Sequence, residues 1–82
     1  METIEKLGRV GEAEKYIRKL GFWQVRVRSH GDMARIEVGA DERSKLVEHA
    51  DEIAERLKSL GFVFVAMDLT GYRSGSMNQL LS

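Results

Sequence analysis

The chain contains no cysteine, which excludes disulfides, thiolate metal sites and a cysteine nucleophile. Two histidines alone do not make a metal site, so we predict none. No apolar run approaches the roughly 18 residues that span a bilayer. The charged first ten residues also lack the apolar core of an export signal. We therefore expect a cytoplasmic protein that makes no contact with a membrane.

Net charge is also absent, because 13 basic residues balance 13 acidic ones. Nucleic-acid-binding domains normally carry a basic excess, so this balance argues against a nucleic-acid partner. The 82 residues suffice for one domain, which we assign to residues 1–82. A chain of this size buries only about 60% of its unfolded surface, which favours association. We therefore expect a homo-oligomer.

The clearest pattern present is a predicted β-hairpin over residues 22–38. Apolar positions Trp23, Val25, Val27, Ala34, Ile36 and Val38 alternate with Gln24, Arg26, Arg28, Met33, Arg35 and Glu37. This period of two is typical of half-buried strands. A turn centred on His30 and Gly31 would place Arg26 opposite Arg35. Like charges that face each other destabilise a ladder, so either Glu37 or a bound anion is expected between them.

Helices are predicted before and after this hairpin. Residues 1–21 and 41–60 carry apolar residues three or four apart, and a glycine stops each helix, Gly21 in the first segment and Gly61 directly after the second. Residues 62–69 predict a third strand, and residues 70–82 a Gly/Ser loop and tail. The order α-β-β-α-β predicts a single α+β domain. Its sheet is expected to be three-stranded and mainly antiparallel, in order 2-1-3, with two helices on one face.

A candidate anion site combines the polar strand positions with the loop GYRSGS at residues 71–76. Glycine backbone N–H groups, serine hydroxyls and a guanidinium group are the parts of a phosphate or carboxylate site. The predicted ligand-binding residues are Arg26, Arg28, Arg35, Glu37, Arg73, Ser74 and Ser76. Two plainer interpretations stay open: a solvated sheet surface balanced by Glu37, and an ordinary Gly/Ser-rich tail.

Several segments together resemble the C-terminal domain of the LarE-type ATP-dependent sacrificial sulfur transferases, in the PP-loop ATP-pyrophosphatase group. They are VRVR at residues 25–28, HGD at 30–32, ARIEV at 34–38, LGF at 60–62, DL at 68–69 and GYRSGSMN at 71–78. The resemblance runs from about residue 7 to residue 81. Its combination of motifs is specific, whereas either half alone would carry little weight.

The resemblance implies a small domain that follows an ATP-binding PP-loop domain. Family members adenylylate a carboxylate of a pyridinium dicarboxylate mononucleotide and install sulfur, in many members from their own cysteine. The product becomes the nickel-pincer cofactor of lactate racemase. By motif position, the resemblance implies that Arg26, Arg28, Glu37 and Arg73 help form the site for the anionic substrate or its phosphate.

Two family features are missing here: an SGGxDS-like ATP loop and a cysteine. We therefore expect no enzymatic activity and no cofactor. The chain is interpreted as an anion- and phosphate-binding module for a mononucleotide-like small molecule, working with a separate PP-loop ATPase-type protein. A free-standing relative, half of a split enzyme and a shortened piece of a longer protein all stay open. The alternative is a structural or regulatory oligomerisation domain without a small-molecule ligand.

Overall fold

The computed structural model describes residues 2–71, with side chains from residue 8 onward. The elements are α1 (Glu2–Lys19), β1 (Val25–His30), β2 (Met33–Val38), a 3-10 turn (Ala40–Glu42), α2 (Arg43–Glu48), α3 (Ala50–Ser59) and β3 (Phe64–Met67). The predicted α+β class is confirmed. Within the described residues, none of the helices has the length and apolar character needed to cross a membrane.

The hairpin turn lies one residue later than predicted. β1 and β2 are antiparallel around Gly31 and Asp32. Gly31 has φ +61° and Asp32 does not have a positive φ, which is the pattern of a type II′ hairpin turn. As a result Arg28, and not Arg26, lies opposite Arg35. The partner of each residue changes by two positions, so the side chains within β1 and β2 keep their predicted faces.

The predicted strand order 2-1-3 is wrong. The order is β1-β2-β3, and β3 runs parallel to β2, which makes the sheet mixed rather than mainly antiparallel. One reason is that the helical crossover returns the chain directly beside the strand it left. Another is that α1 covers the outer edge of β1. Glu14 Oε2 accepts the Val27 N–H at 2.9 Å, and Arg18 donates to the Val25 carbonyl oxygen at 3.4 Å.

The helix predicted over residues 41–60 is divided in the structure. A 3-10 turn precedes α2, and His49, with φ −100° and ψ 15°, separates α2 from α3. The His49 N–H lies 3.2 Å from the Lys45 carbonyl oxygen and 3.1 Å from that of Leu46. This break lets the apolar sides of both helices reach one core. β3 is likewise shorter than predicted, with four residues.

The core lies between the helices and one face of the sheet. Its buried side chains are Ala13, Ile17, Phe22, Val25, Val27, Ala34, Ile36, Val38, Leu46, Ile53, Leu57 and Phe62. Trp23, predicted on the apolar face of β1, is instead 89% exposed. The strand begins only at Val25, and the Trp23 N–H donates to Glu42 Oε2 at 3.0 Å. This contact holds the backbone before β1, while Phe22 takes the buried place.

We expect Gly71→Ala to lower the free energy of unfolding. Gly71 has φ +78°, and an added Cβ would collide with the carbonyl oxygen of Val38. The conformation alone costs an alanine about 1–2 kcal/mol, and the collision adds to that cost. In contrast, a Cβ at Gly11 in α1 meets nothing within 4 Å, so Gly11→Ala should stabilise by about 1 kcal/mol. Urea unfolding measures both variants; effects of the same sign would contradict the different roles assigned to these two glycines.

Candidate functional site

The side of the sheet opposite the core carries the predicted polar residues. Because side chains alternate along a strand, this surface receives Arg26 and Arg28 from β1, Arg35 and Glu37 from β2, and Asp68 just after β3. We call these five residues the arginine face. Three guanidinium groups against two carboxylates leave it with one net positive charge.

Glu37 lies at the centre of the arginine face. It is 8% exposed and is the one charged side chain that is buried among the described residues. Its Oε1 lies 3.5 Å from Arg28 Nε, and its Oε2 accepts a hydrogen bond from Arg35 Nη2 at 3.1 Å. Two arginines that face each other across the ladder therefore share one carboxylate. The sequence predicts either Glu37 or a bound anion between facing arginines, and in the structure Glu37 takes this place.

Asp68 joins the arginine face from the end of β3. Its Oδ1 accepts the Thr70 hydroxyl at 2.7 Å and the Thr70 N–H at 2.9 Å. These hydrogen bonds, with a smaller contribution from Arg35, hold the pKa of Asp68 below its ordinary value of 3.8. Asp68 Oδ2 lies 3.8 Å from Arg35 Nε. That nitrogen is buried and has no hydrogen-bond partner among the residues that the structure describes.

The loop after β3 is held against the start of α2. Gly71 N–H donates to the Asp68 carbonyl oxygen at 3.0 Å and closes a turn. Arg43 donates from its Nη1 to the Leu69 carbonyl oxygen. The start of the GYRSGS motif is therefore fixed beside the arginine face. Sequence reasoning missed the roles of Asp68 and Arg43. Placing β3 beside β2 would have identified Asp68, whereas Arg43 acts across 26 positions without a local signal.

The structure thus brings together part of the predicted site. Arg28, Arg35 and Glu37 are in contact, and Arg26 lies opposite Glu37 in the ladder. The remaining predicted residues lie outside the described part of the chain; they are Arg73, Ser74 and Ser76. Within residues 2–71, no group of three or more potential metal ligands of the His, Cys, Asp and Glu types lies together.

A groove lies on the other side of β3. It has a volume of about 210 Å³ and lies between β3 and the helices α2 and α3. The described residues that line it are apolar except for Asp51; they are Ile36, Leu46, Val47, Ala50, Asp51, Ile53, Ala54, Val65, Ala66 and Met67. Of the predicted ligand-binding residues that the structure describes, which are Arg26, Arg28, Arg35 and Glu37, none lines this groove.

Comparison with known proteins relates the chain to LarE-type proteins. It is 45% identical over 80 residues to the pyridinium-3,5-bisthiocarboxylic acid mononucleotide synthase of Lactiplantibacillus plantarum. It is 44% identical over 82 residues to an uncharacterized protein of Synechocystis sp., and 35% identical over 72 residues to one of Methanocaldococcus jannaschii. These matches cover 98%, 98% and 88% of this chain. No family model matches.

The same matches cover only part of each relative. The chain spans 29% of the synthase, 31% of the Synechocystis protein and 28% of the Methanocaldococcus protein. The relationship predicted from the motifs is therefore confirmed at the level of LarE-related sequence. The assignment to the C-terminal domain stays a prediction.

We expect Glu37→Gln to destabilise the protein by about 1–3 kcal/mol, because the facing guanidinium groups would lose their shared carboxylate. The loss should shrink when Arg28→Gln is added, since this second change removes one of the two facing charges. Urea unfolding of the single and double variants measures the coupling. Glu12→Gln is the control, because its pair with Lys15 at 3.6 Å is exposed and should change stability by less than about 1 kcal/mol. Additive effects of Glu37→Gln and Arg28→Gln would argue against this arrangement.

Asp68 should give the protein an acid-sensitive part of its stability. A carboxyl whose pKa is lowered by folding stabilises the folded state above the unfolded-state value. For Asp68 this contribution is complete above 3.8 and is lost as the pH falls through its folded pKa. Thr70→Val removes the hydroxyl donor, so it should raise the pKa of Asp68 toward the ordinary value. An NMR titration of the Asp68 carboxyl carbon in both proteins measures the change; identical titrations would refute the assigned cause.

Proposed function

We propose, from this relationship to LarE-type proteins, that the chain is a non-catalytic domain that binds the anionic group of a small molecule on its arginine face. The Lactiplantibacillus relative is named for a pyridinium mononucleotide that bears two thiocarboxylic acid groups. A mononucleotide carries a phosphate, and guanidinium groups bind phosphate with paired, charge-assisted hydrogen bonds.

The observation that carries the proposal is the pair formed by Arg28 and Arg35. Their side chains are 48% and 38% exposed, so ligand can reach both. They lie directly opposite each other, a placement that destabilises a sheet unless negative charge compensates. Glu37 contacts both guanidinium groups, and Asp68 Oδ2 lies 3.8 Å from Arg35 Nε. A guanidinium group has five N–H donors, so a bound anion would add a further acceptor to this exposed pair, which gives the arrangement a functional reason.

The loop after β3 supports the same proposal. Asp68 and Arg43 fix residues 68–71 at the edge of the arginine face. The next residues of the sequence include Arg73, Ser74 and Ser76, which in this proposal add a third guanidinium and two hydroxyls to the bound anion. We further propose that the chain works with a PP-loop ATPase-type partner that supplies the nucleotide chemistry.

Inorganic phosphate should raise the melting temperature of the protein, because a ligand that binds only the folded state stabilises it. The gain in stability is about 2.7 kcal/mol at one hundred times the dissociation constant. Arg28→Gln and Arg73→Ala should each abolish the rise. Arg28→Gln should not lower the melting temperature without phosphate, since it also removes a repulsion.

Lys15→Gln is the matched control for this experiment. Lys15 is an exposed cation on α1, away from the sheet, so its loss should leave the phosphate effect intact. Chloride at equal ionic strength controls for screening. The proposal fails if phosphate and chloride shift the melting temperature equally, or if all three variants respond alike.

A further inference from the structure

The two outer edges of the sheet differ in how they are covered. α1 covers the edge of β1, where the Glu14 carboxylate and the Arg18 guanidinium group form hydrogen bonds to the backbone of that strand. β3 forms the other edge, and among the described residues β2 is the strand that pairs with it. The sequence of β3, FVAM at residues 64–67, contains no charged residue and no proline. Such residues are common means of keeping an edge strand from pairing with another chain, so this edge is open to pairing.

The backbone of β3 has hydrogen-bonding groups on this open edge. The N–H groups of Phe64 and Asp68 donate to carbonyl oxygens on the side of β2. Since the backbone groups of successive residues alternate between the two edges of a strand, the N–H and C=O groups of Val65 and Met67 point to the open edge. These groups are strong donors and acceptors, and they are spaced to pair with one further strand.

The groove between β3 and the helices lies along the same edge. Val65 and Met67 line it from the sheet, and Ala50 and Ala54 line it from α3. Val47, which also lines the groove, is 59% exposed. A strand added at this edge would therefore cover apolar surface as well as form backbone hydrogen bonds. Proteins that bind by extending a sheet use this combination.

The flank of α3 beside the groove indicates what binds there. Asp51, Ala54 and Lys58 follow at intervals of three and four residues, so they share one flank, with the small alanine between two opposite charges about 10 Å apart. Asp51 and Lys58 are exposed, and neither forms an ion pair with another described side chain. Two such helices lying antiparallel would bring Asp51 of each against Lys58 of the other. This flank is therefore complementary to itself, as a two-fold interface between identical chains requires.

We propose that the edge of β3 and its groove bind a second copy of this chain, with the two β3 strands antiparallel across a two-fold axis. With the axis at Ala66, Val65 of each copy lies opposite Met67 of the other, and the open backbone groups of both residues pair. The same axis sets the two α3 helices antiparallel on one side of a continuous sheet, where Asp51 and Lys58 form an ion pair in each direction.

The end of the described chain favours a second copy over the following residues of the same chain. Gly71 lies against the Val38 carbonyl oxygen at the end of β2, and Arg43 holds the Leu69 carbonyl oxygen. The chain therefore leaves β3 toward β2 and away from the open edge. The proposed interface uses this edge and the core side of β3, so it does not depend on anion binding at the arginine face.

Sedimentation equilibrium of the whole chain over a range of concentrations tests the interface, and we expect a dimer that dissociates on dilution. Asp51→Lys and Lys58→Asp should each weaken dimerisation roughly tenfold, because each change occurs twice in a symmetric dimer and replaces an exposed attraction by a repulsion. The double variant should restore the dimer, since its ion pairs form again with exchanged charges. Urea unfolding checks that every variant is folded.

Glu12→Lys is the matched control, because Glu12 is an exposed acid on α1, the helix that covers the opposite edge of the sheet. It changes the charge as Asp51→Lys does and should leave dimerisation unchanged. Amide hydrogen exchange adds a direct readout. Protection of the Val65 and Met67 N–H groups should rise with protein concentration, and by more than that of the Phe64 N–H, which is already hydrogen-bonded within one copy.

Three results would overturn the proposal. The first is a chain that stays monomeric at every concentration. The second is a dimer in which the double variant associates no better than either single variant, or which Glu12→Lys weakens as much as Asp51→Lys does. The third is a dimer that Arg28→Gln dissociates and Asp51→Lys leaves intact, since association would then take place through the arginine face.

Discussion

The buried carboxylate of Glu37 is the interaction on which the sheet depends. It lies opposite Arg26 and contacts Arg28 and Arg35, so it is surrounded by the cations of both strands of the hairpin. A register with the turn one residue earlier would place Glu37 opposite Gln24 and move Arg28 out of its reach. The turn at Gly31 selects the same register by its positive φ. Backbone geometry and electrostatics therefore agree, which is how one register becomes strongly specified.

A second set of contacts fixes the helices on the other side of the sheet. The motif LGF occurs at residues 20–22 and again at 60–62, and each copy ends a helix with a glycine at positive φ and a buried phenylalanine. A cation from another helix covers each ring. Lys45 Nζ lies 4.8 Å from the first ring centroid, and the Arg9 guanidinium carbon lies 4.6 Å from the second. Such contacts contribute about 0.5–1 kcal/mol each at exposed sites, and these two connect α2 to the end of α1, and α1 to the end of α3. Both rings belong to the buried core between the helices and the sheet.

The sequence predicts properties that depend on local pattern and misses those that depend on distant side chains. The face of each residue in β1 and β2 was predicted correctly. Moving the turn by one residue changes the partner of each residue by two positions, which leaves the alternation of faces unchanged. The helix ends at the two LGF motifs were also predicted to within two residues. The strand order was not predicted correctly, because it depends on Glu14 of α1, which accepts a backbone N–H at the edge of β1. No residue spacing in the sequence indicates this contact. The break at His49 carries neither glycine nor proline, and Asp68 joins the candidate site only when β3 lies beside β2.

The parallel pairing of β2 and β3 is what gives the candidate site its shape. It brings the ends of both strands to one edge of the sheet, where the loop at residues 68–71 meets Arg43 at the start of α2. In the order 2-1-3, β1 would have separated Asp68 from Arg35. In the observed order, Asp68 Oδ2 lies 3.8 Å from Arg35 Nε. Phe64, four residues before Asp68, lies on the same side of the sheet. One crossover therefore places a carboxylate, a guanidinium pair and an aromatic ring on a single face. The chemistry that this face offers to a ligand follows from strand order as much as from the residues themselves.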